Sequence, residues 1–170
     1  MRKFVVLVGL VLLMGVPALA QNGYPKAEIF GGFSLLNADI YGDRMTAYGW
    51  QASVAGNFHK NVGIVADFGG HYKWGGSIYE LGFGPRFYVR GDKATGFVHA
   101  LFGAYRLGAG GYSETDFGMG FGGGVDVNAT DRVAIRVVQF DWLINRSEGY
   151  WFKKNVRFGF GVVFKVGGGS

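Results

Sequence analysis

From Lys26 to the end of the chain, apolar residues recur at every second position through eight successive segments, with small or polar residues between them. Period two marks extended backbone, because neighbouring side chains of a strand leave on opposite faces, whereas an amphipathic helix repeats about every 3.6 residues. The chain is therefore held to sheet, and each strand has an apolar face and a small or polar one.

The cleanest segment is 78–89, where Tyr79, Leu81, Phe83, Pro85, Phe87 and Val89 share one face, and Glu80, Gly82, Gly84, Arg86 and Tyr88 the other. The same pattern predicts strands at 26–36, 48–58, 62–72, 95–106, 117–127 and 155–164. The segment 133–143 begins in phase, with Ile135 and Val137 opposite Arg136, and then sets Gln139 and Asp141 on the wrong parity. One extra residue at a bulge near Val137 and Val138 restores the register.

The stretch FGMGFGGGVDV at 117–127 carries Gly118, Gly120 and Gly123 at the spacing of a dinucleotide-binding loop. That motif needs a helix after the glycines to hold a phosphate at its N-terminus. Here the turn NATD and another strand follow, so the sequence points to no cofactor. Phe117, Met119, Phe121, Val125 and Val127 instead take one face, and Gly118, Gly120, Gly122 and Gly124 take the other. Such a wall leaves room for long inward side chains, with Arg86, Arg136 and Arg157 the candidates.

Connections alternate in length: 37–47, 107–115 and 144–153 are long, while 59–61, 90–94 and 128–132 are short and 73–77 is modest. One end of the sheet is short-turned and the other loopy, as in an up-and-down barrel of a bacterial outer membrane. Nothing after residue 20 offers the run of about 18 apolar residues that a membrane helix needs, whereas a tilted strand of about ten residues spans an outer membrane. Tyr48, Trp50, Tyr72, Trp74, Tyr79, Tyr105 and Trp142 gather toward the long-loop end, and Phe58, Phe87, Tyr88, Phe97 and Phe164 toward the other, giving two expected aromatic girdles.

Arg2 and Lys3, an apolar run over 4–16, Pro17 and Ala18-Leu19-Ala20 have the layout of a secretory signal peptide. Two regions are thus expected: a cleaved leader at 1–20 and one barrel domain at 21–170. With no cysteine, neither a disulfide framework nor a lipid-modified N-terminal cysteine is available. The formal charge of +5 is dispersed along the chain and not gathered into a basic stripe, which argues against nucleic acid as a partner.

The chain resembles the small eight-stranded outer-membrane β-barrels, such as the transmembrane domain of outer-membrane protein A. The resemblance covers nearly all of 21–170, and its most specific piece is RFGFGVVF, where Arg157, Gly159, Val162 and Phe164 look like the terminal signal read by the barrel-assembly machinery. Family members often stop at that aromatic residue, whereas here 165–170 follow. The resemblance implies an all-β, eight-stranded antiparallel up-and-down transmembrane barrel, with outer-membrane lipids and the assembly machinery as partners and a monomeric state.

A barrel of eight strands has a lumen just wide enough to be filled by side chains. Parity sends Glu28, Asp67, Glu80, Arg86, His99, Asp126, Arg136 and Arg157 inward, with Glu28 and Glu80 the expected partners of the three arginines. Asp67 and His71, four apart, would lie about 13 Å apart along a strand, so no metal site is expected. Asp39, Asp43, Asp116, Asp141 and Glu148 fall in loops or at the rim, and no nucleophile–histidine pair is identifiable, so the reading is non-enzymatic.

Three functions fit to different degrees. The favoured one is a structural or interaction role through the long loops, whose contact candidates are Tyr41, Arg44, Tyr112, Tyr150 and Trp151. The others are a narrow gated pore and a soluble barrel of the lipocalin kind, whose inner face would be apolar.

Overall fold

Antiparallel pairing around a complete circuit determines the architecture. The computed structural model describes residues 23–40, 43–73, 75–109, 112–147 and 150–167. Its strands are β1 (Ala27–Ile40), β2 (Asp43–His59), β3 (Val62–Lys73), β4 (Gly76–Arg90), β5 (Ala94–Ala109), β6 (Tyr112–Asn128), β7 (Val133–Ser147) and β8 (Tyr150–Val166). They neighbour one another in chain order and close as a barrel, with Ala27 of β1 opposite Val166 of β8 and Asn37 opposite Val156. Closure leaves no strand edge unpaired, the condition for placing a sheet in hydrocarbon. The leader expected at 1–20 lies outside the described residues.

The two faces separate by chemistry. Phe83, Phe87, Val98, Phe117, Phe158 and Phe160 point outward and are exposed, while Arg86, Arg136 and Arg157 are buried inside. An apolar surface running around the whole barrel far exceeds the few hundred Å² (roughly) that soluble monomers expose. It is the surface of a transmembrane barrel, with polarity inverted relative to a lipocalin-like one.

The three long connections differ from expectation. β1 runs on to Ile40 and β2 starts at Asp43, β5 runs on to Ala109 and β6 starts at Tyr112, and β7 runs on to Ser147 and β8 starts at Tyr150. Most residues expected in loops are therefore hairpin, because ladder pairing continues beyond the aromatic band: Thr46 still faces Asn37, and Arg106 still faces Thr115. The β3–β4 hairpin ends closest to that band, and Gly75 takes a φ of 79° in its turn, a conformation glycine adopts without steric cost.

In β7 the ladder to β6 slips between Val125 and Asp126, and the ladder to β8 slips between Arg136 and Gln139. Val137 and Val138 both face outward, so Gln139 and Asp141 return to the lumen beside Arg136. A second irregularity lies between Leu143 and Asn145.

Three residues expected in the girdles are not there. Tyr88, Phe97 and Tyr105 occupy inward positions and are buried. Position in the sequence placed them at the right height, but strand parity turns them into the lumen. Tyr48, Trp50, Tyr72, Tyr79 and Trp142 face outward at one end, and Phe58, Phe87 and Phe164 at the other, while Trp74 lies outside the described residues.

Candidate functional site: a closed ion network in the lumen

Registry places the site. Arg86 of β4 lies opposite His99 of β5, His99 opposite Gly122 of β6, Gly122 opposite Asp141 of β7, and Asp141 opposite Arg157 of β8. One row thus crosses five strands with a glycine in the middle. Across that glycine, His99 Nε2 reaches Asp141 Oδ1 at 2.7 Å, two strands away. A Cβ on Gly122 would collide with Asp141 Oδ1 and with the Phe140 carbonyl.

The glycines of β6 do make room, though not directly for the arginines. A Cβ on Gly124 would come within 2.8 Å of the Phe97 ring, and one on Gly120 within 3.0 Å of Leu143 Cδ2. Space for Arg157 comes from Gly69 of β3, where a Cβ would stand 3.1 Å from Nη1. Gly123 faces outward, and its Cβ would press on the Phe97 carbonyl.

Arg157 is the hub. Its Nη1 donates to Glu80 Oε2 at 2.6 Å, its Nη2 to Asp67 Oδ1 at 2.8 Å and Asp141 Oδ2 at 2.7 Å, and its Nε to Asp141 Oδ2 at 3.0 Å. Four strands, β3, β4, β7 and β8, are tied together through one guanidinium. Gln51 Nε2 of β2 donates to Asp67 Oδ2 at 2.9 Å, and Gln139 Nε2 donates to Asp141 Oδ2 at 2.8 Å. Arg136 grips Asp126 through Nε and Nη2 at 2.7 and 3.0 Å and reaches Gln139 Oε1 at 2.7 Å. The planar fork of Arg suits such pairing, and charge-assisted bonds of this kind are the strong ones.

Arg86 is paired differently. Its Nη2 donates to His99 Nδ1 at 3.1 Å, and its guanidinium lies 4.5 Å from the Phe97 ring centre. Since Arg can only donate, Nδ1 must accept, and the His99 hydrogen sits on Nε2 toward Asp141. Arg136 stacks on Phe30 at 4.2 Å and on the same Phe97 ring at 4.3 Å. Phe97 and Phe30, turned inward, thus serve as cation–π platforms.

All eight inward residues expected from parity line the lumen, but their partners differ. Glu80 meets Arg157, whereas Glu28 binds Arg90 at 2.6 Å and none of the three expected arginines. Asp141, read from sequence as a rim acid, is fully buried and central. The bulge expected near Val137 and Val138 already turns Gln139 and Asp141 inward by parity; what the structure corrects is the placement of Asp141 at the rim. Asp67 and His71 share the lumen without a metal arrangement, since Asp67 is held by Arg157 and Gln51 while His71 Nε2 bonds Ser34 Oγ at 2.9 Å.

Apolar layers bound this network. Leu36, Ala38, Ile78, Tyr105 and Leu143 pack together on the side of the extended hairpins, and Phe30, Ala134 and Val163 on the opposite side. Between hub and upper layer lies a cavity of about 40 Å³, lined in part by Asp67, Glu80, Leu101, Tyr105, Leu143 and Arg157. Of the contact candidates, Arg44 and Trp151 are exposed, and Arg146 lies 5.6 Å from the Trp151 ring centre. Tyr41 lies outside the described residues; Tyr112 and Tyr150 are placed in strands by backbone only. Gly159 faces inward with Arg157, and Val162 and Phe164 face outward.

The fold is that of the small transmembrane β-barrels. Neisserial surface protein A superposes with a TM-score of 0.71 at 13% identity, over 85% of this chain and 99% of that one. The N-terminal β-barrel domain of Pseudomonas aeruginosa OprF gives 0.56 at 13% identity, over 83% and 99%. Ail, the attachment invasion locus protein of Yersinia pestis, solved with the heparin analogue sucrose octasulfate, gives 0.55 at 12% identity, over 83% and 98%. No protein-family model and no curated protein sequence matches the chain.

Proposed function

We propose that this is a bacterial outer-membrane barrel, exported by a leader at 1–20, that works without catalysis as a monomeric anchor. Its extended hairpins meet the outside. The observation that carries this reading is the closed lumen: Arg157, Asp67, Glu80 and Asp141 cross-link four strands at mid-barrel, with an apolar layer on either side. Likeness in fold to Neisserial surface protein A and to the Yersinia pestis outer membrane protein Ail supports the location. Arg157, Gly159, Val162 and Phe164 serve as the signal for the barrel-assembly machinery. Contacts outside are made by exposed side chains of the hairpins, with Arg44 and Trp151 the foremost. The partner belongs to the environment of the cell surface.

Planar-bilayer recording tests the reading. The purified barrel is expected to be silent or to give only rare, brief openings, because water and ions meet an apolar layer and a paired charge network in series. Stable unitary currents in the unmodified protein would establish the pore instead.

A further inference from the structure

Two hydrogen-bond acceptors face each other beside the hub. Ser34 Oγ donates to the Phe158 carbonyl at 3.2 Å, so the bond between Ser34 Oγ and His71 Nε2 at 2.9 Å must use a hydrogen on Nε2. In neutral His71 this leaves Nδ1 with a bare lone pair, 3.9 Å from Glu80 Oε1. Both atoms are buried and unpartnered, while the other oxygen of Glu80 is engaged by Arg157 at 2.6 Å. Lone pair against lone pair between two buried atoms is repulsive, and a hydrogen between them converts repulsion into a bond.

Charge balance points the same way. Among the described residues whose side chains are nine-tenths or more buried, four guanidiniums (Arg86, Arg90, Arg136 and Arg157) accompany five carboxyls (Glu28, Asp67, Glu80, Asp126 and Asp141). Asp126 and Glu28 each have an arginine of their own, so the surplus falls on the three carboxyls around Arg157. One additional proton there makes the sealed set neutral, which removes the cost of an uncompensated buried charge.

We propose that the barrel binds a proton between Glu80 and His71, carried on Glu80 Oε1 and donated to His71 Nδ1 after a small rotation of the carboxyl group. Placing it on the imidazole would set two cations side by side. A point 3.1 Å from Arg157 Nη1, where Gly69 lacks a Cβ, is also 3.3 Å from His71 Cε1 and 2.9 Å from Glu80 Oε2. The groups facing the pair are Arg157 of β8, Asp67 of β3, Asp141 of β7 and Tyr105 of β5, with Ser34 of β1 behind the imidazole. Proton occupancy decides whether Arg157 is held by three charged carboxylates or by two charged and one neutral carboxyl.

Infrared spectroscopy of the folded full chain in lipid vesicles at pH 7 tests this directly. One protonated-carboxyl stretch per chain is expected, shifted when glutamate carboxyls are labelled with carbon-13, lost in Glu80→Gln and kept in Glu28→Gln. Glutamine retains both bonds, donating to Nδ1 and accepting from Arg157, so the variant is expected to fold. The labelled unmodified protein decides even if it does not. A spectrum with every glutamate ionised at pH 7, or a band that survives Glu80→Gln, overturns the assignment.

Discussion

Arg157→Ala is expected to cost the folded barrel about 3–5 kcal/mol, the range for removing one partner from a buried ionic cluster. The loss comes less from the vanished attraction than from what stays behind. Asp67, Glu80 and Asp141 keep their positions on three different strands and lose the guanidinium between them. Urea titration of the protein folded in vesicles measures the change. Arg157→Lys should fall between the two, since an ammonium supplies charge without the planar fork that reaches three carboxyls at once. An alanine variant as stable as the parent would show that the lumen contributes nothing to holding the strands together. The same variant should conduct in planar bilayers more than the unmodified barrel does, because the charged layer across its lumen has lost its central side chain.

Deleting Phe140 is expected to abolish folding, whereas deleting Val137 is expected to leave the barrel intact. A single-residue shift sends every following side chain of a strand to the opposite face. Without Phe140, either Asp141, Leu143 and Asn145 or the residues before the gap must turn toward lipid, and Asp141 takes with it the link between His99 and Arg157. Val137 is the bulged residue, so its removal leaves Arg136 and Gln139 separated by one outward residue, still both inside. Folding yield read from heat-modifiable gel mobility separates the two deletions. Equal tolerance would mean that the ladder of β7 does not determine which residues enter the lumen.

The contrast between these deletions also explains what could be read from the residues alone. In β4, Tyr79 to Val89 alternate without interruption, and parity assigns every side chain to lipid or lumen. In β7 the alternation changes phase at the expected bulge, and it is height along the strand, not parity, that misplaces Asp141 at the rim. Girdle positions failed where height along the barrel was used without direction: Tyr88, Phe97 and Tyr105 are at the ends and point inward. Ion pairing was the least legible. Arg157 and Glu80 are 77 residues apart and meet across the lumen, while Glu28 reaches Arg90 over 62, and no local pattern encodes which pair forms. The segments 37–47, 107–115 and 144–153, expected as long connections, are mostly strand, because polar residues such as Ser113 and Glu114 do not reveal that their backbones continue the ladder.

The central claim is that alternate residues divide between hydrocarbon and a closed polar lumen, and it is tested most directly by a photoreactive lipid. A diazirine in the acyl chain, activated in vesicles holding the folded protein, inserts into whatever side chain touches it, and peptide mass spectrometry locates the adducts. Label is expected on Val54, Phe83, Val98, Phe102 and Phe158 and absent from Ala55, Val65, Leu101 and Phe30, which lie on the opposite faces of the same or adjoining strands. Label spread over both sets, or confined to the second, would contradict the transmembrane barrel.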